Sequence, residues 1–519
     1  MRPRLIVTCI ALAACGDHSS GGEGLTVTLD SGPIHGAAVG EIRHFLGIPY
    51  AAPPVGGARF RAPQAVTPWA HVRDALLVGS ACPQATSDDE DCLFANVWAP
   101  AGAEHLPVMV WLHGGGFVFG SGGEPYYDGS NLAANGVIVV TLNYRLGVFG
   151  FFAHPALLDD DPSFPTAGNY GLEDQRAALQ WVQRNIAAFG GDPAKVTLFG
   201  ESAGGLSTCI HYLSSRTSGL FQAAISQSGT CTSPILEVSA PVAQAQGRLL
   251  AEALGCPGND ASAIACMRGK SADELRAAPA MVAGTVTPGG SFFQAITLPG
   301  SLPNVDGFVI SQSSATLAAA AQFEPRPLLL GNVKDEGTLF TAALLATPVA
   351  DEVEYRAALA TRFANGVVDA IVAHYPVTAF ASANAALSQV INDGFFQCPS
   401  ARFSKAVVTR GAVEYRYSFE QALTTPIAAD LGVFHSSELP FVFGNDNFPL
   451  GKIGDATALA IAMRHYWTQF ATFATPNYQG AVTWPMYSLT NEPELVLAST
   501  LTTATNLDDD ACGLWAQLQ

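Results

Sequence analysis

The pentapeptide Gly200-Glu201-Ser202-Ala203-Gly204 has the residue types and spacing that nucleophilic serine chemistry needs. A serine presented as a nucleophile projects from a sharp strand-to-helix turn, and only small flanking residues leave room for that turn. The context fits: the β-branched, apolar run Val196-Thr197-Leu198-Phe199 precedes it and a helical pattern follows. Upstream, His113-Gly114-Gly115-Gly116-Phe117 directly follows the apolar run Val108-Met109-Val110-Trp111-Leu112. Consecutive glycines let backbone N–H groups approach a negatively charged oxygen without side-chain obstruction. A nucleophile preceded by an oxyanion loop points to acyl transfer at a carbonyl.

A serine needs a base to take its proton and a carboxylate to orient that base. On an α/β-hydrolase scaffold these follow the serine in chain order, acid first. Lys334-Asp335-Glu336-Gly337 lies just past the apolar run Pro327 to Gly331, where a loop would present a carboxylate. His435 follows within Gly432-Val433-Phe434-His435-Ser436-Ser437-Glu438-Leu439. Spacing alone leaves Asp335 and Glu336 equivalent, and leaves His374 and His465 as alternatives to His435.

The elements that must position these residues read as an α/β chain. Val108 to Leu112 and Val137 to Leu142 are continuous apolar runs, the pattern of strands buried on both faces. Leu172 to Phe189 has helical periodicity, closed by Gly190-Gly191-Asp192-Pro193 before the next strand. Strands alternating with helices predict a central, mostly parallel sheet flanked by helices. Leu25 to Leu29 reads as a short opening strand. Ala240 to Ala360 is rich in helical patterns, read as helical insertions into the same unit because no linker separates it. Residues 25–519 are therefore expected to form a single domain.

The 519 residues are 49% hydrophobic and 13% charged, with a formal net charge of −19. A field of that sign repels phosphate backbones, which argues against a nucleic-acid partner. Arg2 and Arg4 precede the apolar stretch Leu5 to Ala14, the pattern of a signal peptide over residues 1–14. Leu12-Ala13-Ala14-Cys15 resembles a bacterial lipobox, which makes Cys15 the expected lipidation site and residues 15–24 a flexible, Gly-rich tether. The expected address is export, as a periplasmic or outer-membrane lipoprotein tethered to a membrane through Cys15, or alternatively secretion. In an oxidising compartment cysteines pair. Cys82 and Cys92, and Cys256 and Cys266, are near neighbours, and Cys398 with Cys512 would tie the C-terminus to the body. Cys209 and Cys231 have no obvious partner. No cysteine or histidine spacing suggests a metal site.

The sequence resembles the type-B carboxylesterases, the family that includes the cholinesterases, from about Leu25 to Trp515. The resemblance runs through Phe45 to Tyr50, Glu90 to Leu93, the His113 to Phe117 loop, Asn143 to Arg145 and Asn169 to Gln175. It continues through Phe189 to Pro193, Gly200 to Gly205, Asn332 to Gly337 and Gly432 to Gly444. It implies the α/β-hydrolase fold and a catalytic set of Ser202, Glu336 and His435. It also implies oxyanion donors at the N–H groups of Gly115, Gly116 and Ala203, and disulfides Cys82–Cys92 and Cys256–Cys266. Arg59 with Glu90, and Arg145 with Asp174, match buried ion pairs of the family, read as structural. Cholinesterases carry a Trp between the first pair of cysteines, where it stacks on quaternary ammonium. Pro83 to Asp91 contains no aromatic residue, so a cation–π site of that kind is missing.

These readings predict a serine esterase that hydrolyses small-molecule carboxylic esters through an acyl-enzyme, with no cofactor and no metal. An amidase or lactonase would use the same machinery, as would a mycotoxin-type esterase. A catalytically silent, cholinesterase-like adhesion module is the alternative from another class; such modules usually lack a member of the catalytic set. The sequence leaves oligomeric state open.

Overall fold

The computed structural model describes residues 25–233, 237–286, 299–344, 348–424, 430–505 and 509–518. The signal segment, Cys15 and the tether lie outside the described residues.

The apolar runs become neighbouring strands because each can bury both faces. Val108, Val110 and Leu112 point into one core, and Met109 and Trp111 into the other. Ile138, Val140 and Leu142 divide from Val139 in the same way, as do Leu328 and Leu330 from Leu329. The resulting sheet has eleven strands. In chain order these are β1 (Ala37–Val39), β2 (Ile42–Pro49), β3 (Phe94–Pro100), β4 (Leu106–Leu112), β5 (Ile138–Leu142) and β6 (Gly191–Glu201). They continue with β7 (Ala223–Gln227), β8 (Leu328–Val333), β9 (Glu414–Phe419), β10 (Pro493–Leu497) and β11 (Thr502–Thr505). Across the sheet the order is β1-β2-β3-β5-β4-β6-β7-β8-β9-β10-β11. From β5 to β10 all neighbours are parallel, and the antiparallel strands lie at the two edges.

Helices α1 (Tyr170–Asn185) and α2 (Ala203–Leu213) cover the first face. The helix α3 (Glu336–Leu344) follows β8, and α4 (Thr457–Phe473) covers the opposite face with Met463, Trp467 and Phe470. A third cluster, from Val349 to Cys398 together with Trp515, belongs to the helical insertion beyond β8. Several expected boundaries shift, among them the helix read from Leu172 to Phe189, which runs Tyr170–Asn185 with a separate 3₁₀ turn Ile186–Phe189 after it. The opening strand is Thr26–Thr28, and it joins a separate three-stranded sheet with Pro33–His35 and Arg73–Asp74. β6 begins at Gly191, inside the segment read as a helix terminator, because Gly191 pairs with Leu106.

Among the described residues the sulfur pairs are Cys82–Cys92, Cys209–Cys231, Cys256–Cys266 and Cys398–Cys512. Cys209 and Cys231, which have no visible partner in the sequence, are thus joined to each other. The physical reason is tertiary: α2 carries Cys209 past the loop after β7, and both sulfurs come within reach of Ser226 Oγ.

Candidate active site

β6 ends at Glu201, and Ser202 makes the turn into α2 with φ 57° and ψ −121°. This strained backbone is compatible with the sequence because both flanking glycines are sterically required. A Cβ on Gly204 would lie 1.9 Å from the Leu112 carbonyl oxygen, and one on Gly200 would lie 2.5 Å from Gly204 backbone. Ser202 N–H donates to Gln227 O at 3.0 Å, which ties the turn to the end of β7. Ala203 opens α2, so its N–H is among those without an intrahelical acceptor.

The glycine loop after β4 packs directly on this turn. A Cβ on Gly114 would lie 2.8 Å from Glu201 Oε2 and 3.1 Å from Ser202 Cβ. Gly115 has φ 106° and abuts the Phe119 carbonyl, whereas a Cβ on Gly116 would meet only Val118, at 4.0 Å. His113 is buried and stacks on Tyr144 at 4.3 Å, and its Nδ1–H donates to Gly114 O at 2.8 Å. Burial pulls its pKa down to about 4, although the bond to Gly114 opposes this, so it is a neutral structural imidazole.

Asp335 and Glu336, indistinguishable by spacing, point in different directions. Asp335 bonds to the histidine loop: its N–H donates to Val433 O at 2.9 Å, and its Oδ2 accepts from Val433 N–H at 2.8 Å. Glu336 is fully buried, and its Oε2 meets His435 Nδ1 at 2.6 Å. Its Oε1 accepts from Val333 N–H at 3.1 Å and from Asn332 Nδ2 at 3.2 Å. His435 Nε2 lies 3.2 Å from Glu201 Oε1 and has no hydrogen-bond partner among the described residues. Phe340 and Phe396 flank the imidazole at 4.8 and 5.0 Å. His374 is exposed at the end of Asn365–His374, and His465 lies on α4 against Tyr478; neither joins this cluster.

Three carboxylates therefore surround one imidazole. Desolvation lowers the His435 pKa, but Glu201, Glu336 and Glu438 together outweigh it and raise it to about 9. Burial raises Glu201, and it pushes Glu438 up to about 8 with the help of the Glu201 charge. Residues not singled out by sequence complete the arrangement. Ser436 Oγ donates to Glu201 Oε1 at 2.6 Å, Gln227 Nε2 donates to Glu438 Oε1 at 3.0 Å, and Glu336 N–H donates to Asn392 Oδ1 at 2.9 Å. The only sequence signal for Ser436 and Glu438 was their place one and three residues after His435.

The two ion pairs expected from the sequence are both formed. Arg145 and Asp174 are buried and joined by two side-chain bonds of 2.7 and 2.8 Å. Arg59 Nε donates to Glu90 at 2.6 Å and fixes the base of the Cys82–Cys92 loop.

A buried imidazole–carboxylate contact thus lies against Glu201, the residue before Ser202, on which the glycine loop also packs. Comparison with known proteins decides the family. The family model described as the carboxylesterase family matches residues 23–515. The chain belongs to the carboxylesterase family. It is 36% identical to a fumonisin B1 esterase of Sphingopyxis macrogoltabida, over 89% of this chain and 84% of that protein. It is 34% identical to an acetylcholinesterase of Bungarus fasciatus, over 95% of this chain and 86% of that one. Two structures of a PNB esterase superpose with a TM-score of 0.82 at 32% and 33% identity. They cover 96% and 95% of this chain, and 99% and 100% of their own. This carboxylesterase thus has the α/β-hydrolase fold and is a carboxylic-ester hydrolase acting on small-molecule esters.

Proposed function

We propose that this carboxylesterase works through an acyl-enzyme on Ser202. His435 removes the proton from Ser202 Oγ, which attacks the ester carbonyl. Glu336 holds the imidazole and stabilises its cationic form. The N–H groups of Gly115, Gly116 and Ala203 receive the developing oxyanion; losing one such donor typically costs about 10²–10³ in rate. The alcohol leaves with a proton from His435, and the same imidazole activates the water that releases the acid. No cofactor takes part. The observation that carries this reading is the buried 2.6 Å contact of His435 Nδ1 with Glu336, which leaves Nε2 beside the Ser202 elbow.

The Cys82–Cys92 loop has no aromatic residue, which favours esters without a quaternary ammonium. The lipobox-like Leu12 to Cys15 supports export of residues 25–519 as one catalytic domain, tethered to a membrane through lipidated Cys15. A panel of p-nitrophenyl esters of rising acyl length, with acetylcholine and fumonisin B1 added, tests both mechanism and range. Ser202→Ala should lose turnover of every ester while remaining folded. Near wild-type turnover by that variant would overturn the mechanism, and strong acetylcholine turnover would overturn the specificity.

A further inference from the structure

Large apolar side chains exposed singly are ordinary on a protein surface; a continuous run of them is not. Residues 69–78 read Trp-Ala-His-Val-Arg-Asp-Ala-Leu-Leu-Val, and from residue 70 onward only Ala75 is buried. Val72, Leu76, Leu77 and Val78 are 55, 43, 81 and 46% exposed. Trp69 is half-buried, with the Arg73 guanidinium 4.7 Å over its ring and its Nε1–H donating to Pro33 O at 2.9 Å. The segment thus pairs an apolar ridge with one indole and one guanidinium at its base.

Its location gives the ridge a meaning. A Cβ on Gly123 would lie 3.0 Å from Val78, and Gly123 ends the loop that carries the oxyanion glycines and the 60%-exposed Phe119. The Ser80 carbonyl accepts from Asn143 Nδ2 at 2.9 Å, just past the end of β5. The Val78 end of the ridge therefore abuts the loop that follows the glycine run, at the same ends of β4 and β5 from which that loop and Asn143 leave the sheet. Its own strand, Arg73–Asp74, pairs with Pro33–His35, which pairs with Thr26–Thr28. The first described strand is thus two strands away, about 10 Å at ordinary strand spacing. The nine residues between Cys15 and Leu25 reach at most about 30 Å.

We infer that this ridge docks on the surface of a zwitterionic lipid bilayer and turns the mouth of the ester site toward the membrane. Leu77 and its neighbours enter the acyl boundary, while Trp69 and Arg73 sit at headgroup level. The net charge of −19, with Asp88 to Asp91 on the nearby Cys82–Cys92 loop, disfavours an anionic bilayer. The inference rests on the proposed Cys15 tether only for delivery. The ridge binds the bilayer by its own insertion, and a short tether only adds to that binding. Esters that partition into lipid are then the substrates met most often.

The test uses the processed chain carrying Cys15→Ser, with removal of residues 1–14 checked by mass, and phosphatidylcholine vesicles. The chain should sediment with the vesicles, and Leu76→Ser with Leu77→Asp should lower its partition coefficient about tenfold or more. Turnover of water-soluble p-nitrophenyl acetate should stay unchanged in that variant, which also reports that it is folded. No vesicle binding, or equal binding by the ridge variant, overturns the inference. So does a dimer that the ridge substitutions dissolve without any vesicle binding, since a second copy would then be the partner. The mass of wild-type Cys15 reports lipidation separately: an unacylated cysteine ends the tether reading and leaves the vesicle result standing.

Discussion

Gln84 and Gly120 hold each other in both directions: Gln84 Nε2 donates to Gly120 O, and Gly120 N–H donates to Gln84 Oε1, each at 2.9 Å. The amide is buried, and Nε2 also reaches Cys82 O at 3.1 Å. One side chain thus joins the Cys82–Cys92 loop to the loop that carries Gly115 and Gly116. Where a cholinesterase carries a stacking Trp in this loop, the present loop braces the proposed oxyanion donors.

Gln84→Ala should therefore act on chemistry more than on binding. Freeing one end of the glycine loop blunts donors whose full loss costs about 10²–10³, so kcat should fall roughly tenfold with KM little changed. Gln84→Glu keeps the acceptor and loses the donor, and should fall between the two. Steady-state kinetics on p-nitrophenyl butyrate reads this directly. A pure rise in KM would show that the clamp shapes the pocket instead.

The carboxylate cluster predicts a pH dependence with a definite sign. The proposed base must be neutral to accept a proton from Ser202, and a raised pKa extends the protonated, inactive form to higher pH. Burial opposes the protonated form, but Glu201, Glu336 and Glu438 prevail and take His435 to about 9. The acid limb of kcat/KM should therefore have its midpoint above the ordinary 6.5 for histidine, displaced toward 9. Glu201→Gln keeps an acceptor for Ser436 and removes the charge beside Nε2. Its midpoint should move down, leaving a larger fraction of its maximal activity at pH 6 to 7. An unmoved midpoint would exclude Glu201 as a cause of the shift.

The elements most legible in the sequence were those decided by local pattern. Val108 to Leu112 and Val137 to Leu142 read as two-sided strands and are found as Leu106–Leu112 and Ile138–Leu142, and Gly200 and Gly204 flank a turn that leaves no room for a Cβ. Pattern was silent where tertiary pairing decides. Asp335 and Glu336 are adjacent carboxylates, and the bridge between Asp335 and Phe434 turns one toward the histidine loop and the other toward the imidazole. Family resemblance, not spacing, favoured Glu336. Cys209 and Cys231 stand 22 residues apart on a helix and a loop, with no local signal that those elements touch. Glu438 reads as an ordinary polar residue until the fold buries it beside two other acids.

Asn392 is the residue through which the helical insertion reaches the site. It opens an irregular turn, Asn392–Gln397, with i→i+5 hydrogen bonding, and such turns recur at functional sites. Its Oδ1 accepts the Glu336 N–H, and Gln397 Nε2 donates to Val333 O at 3.3 Å, so both ends of the turn grip the acid loop. Cys398, the next residue, is tied to Cys512, and Trp515 fixes the same region through Tyr375 at 3.0 Å. Asn392→Ala leaves the buried Glu336 N–H without its acceptor, a cost of about 1–3 kcal/mol of stability. It also frees Glu336 to rotate away from His435, which should lower kcat roughly tenfold and leave KM nearly unchanged. Asn392→Asp retains an acceptor for Glu336 N–H and should recover part of the stability, although it loses the donor to Asp393 Oδ1, and the added carboxylate beside Glu336 should raise the acid-limb midpoint further. Thermal denaturation together with pH–rate profiles of the two variants separates anchoring from charge. Full activity and wild-type melting in Asn392→Ala would show that Val333 and Asn332 hold Glu336 unaided.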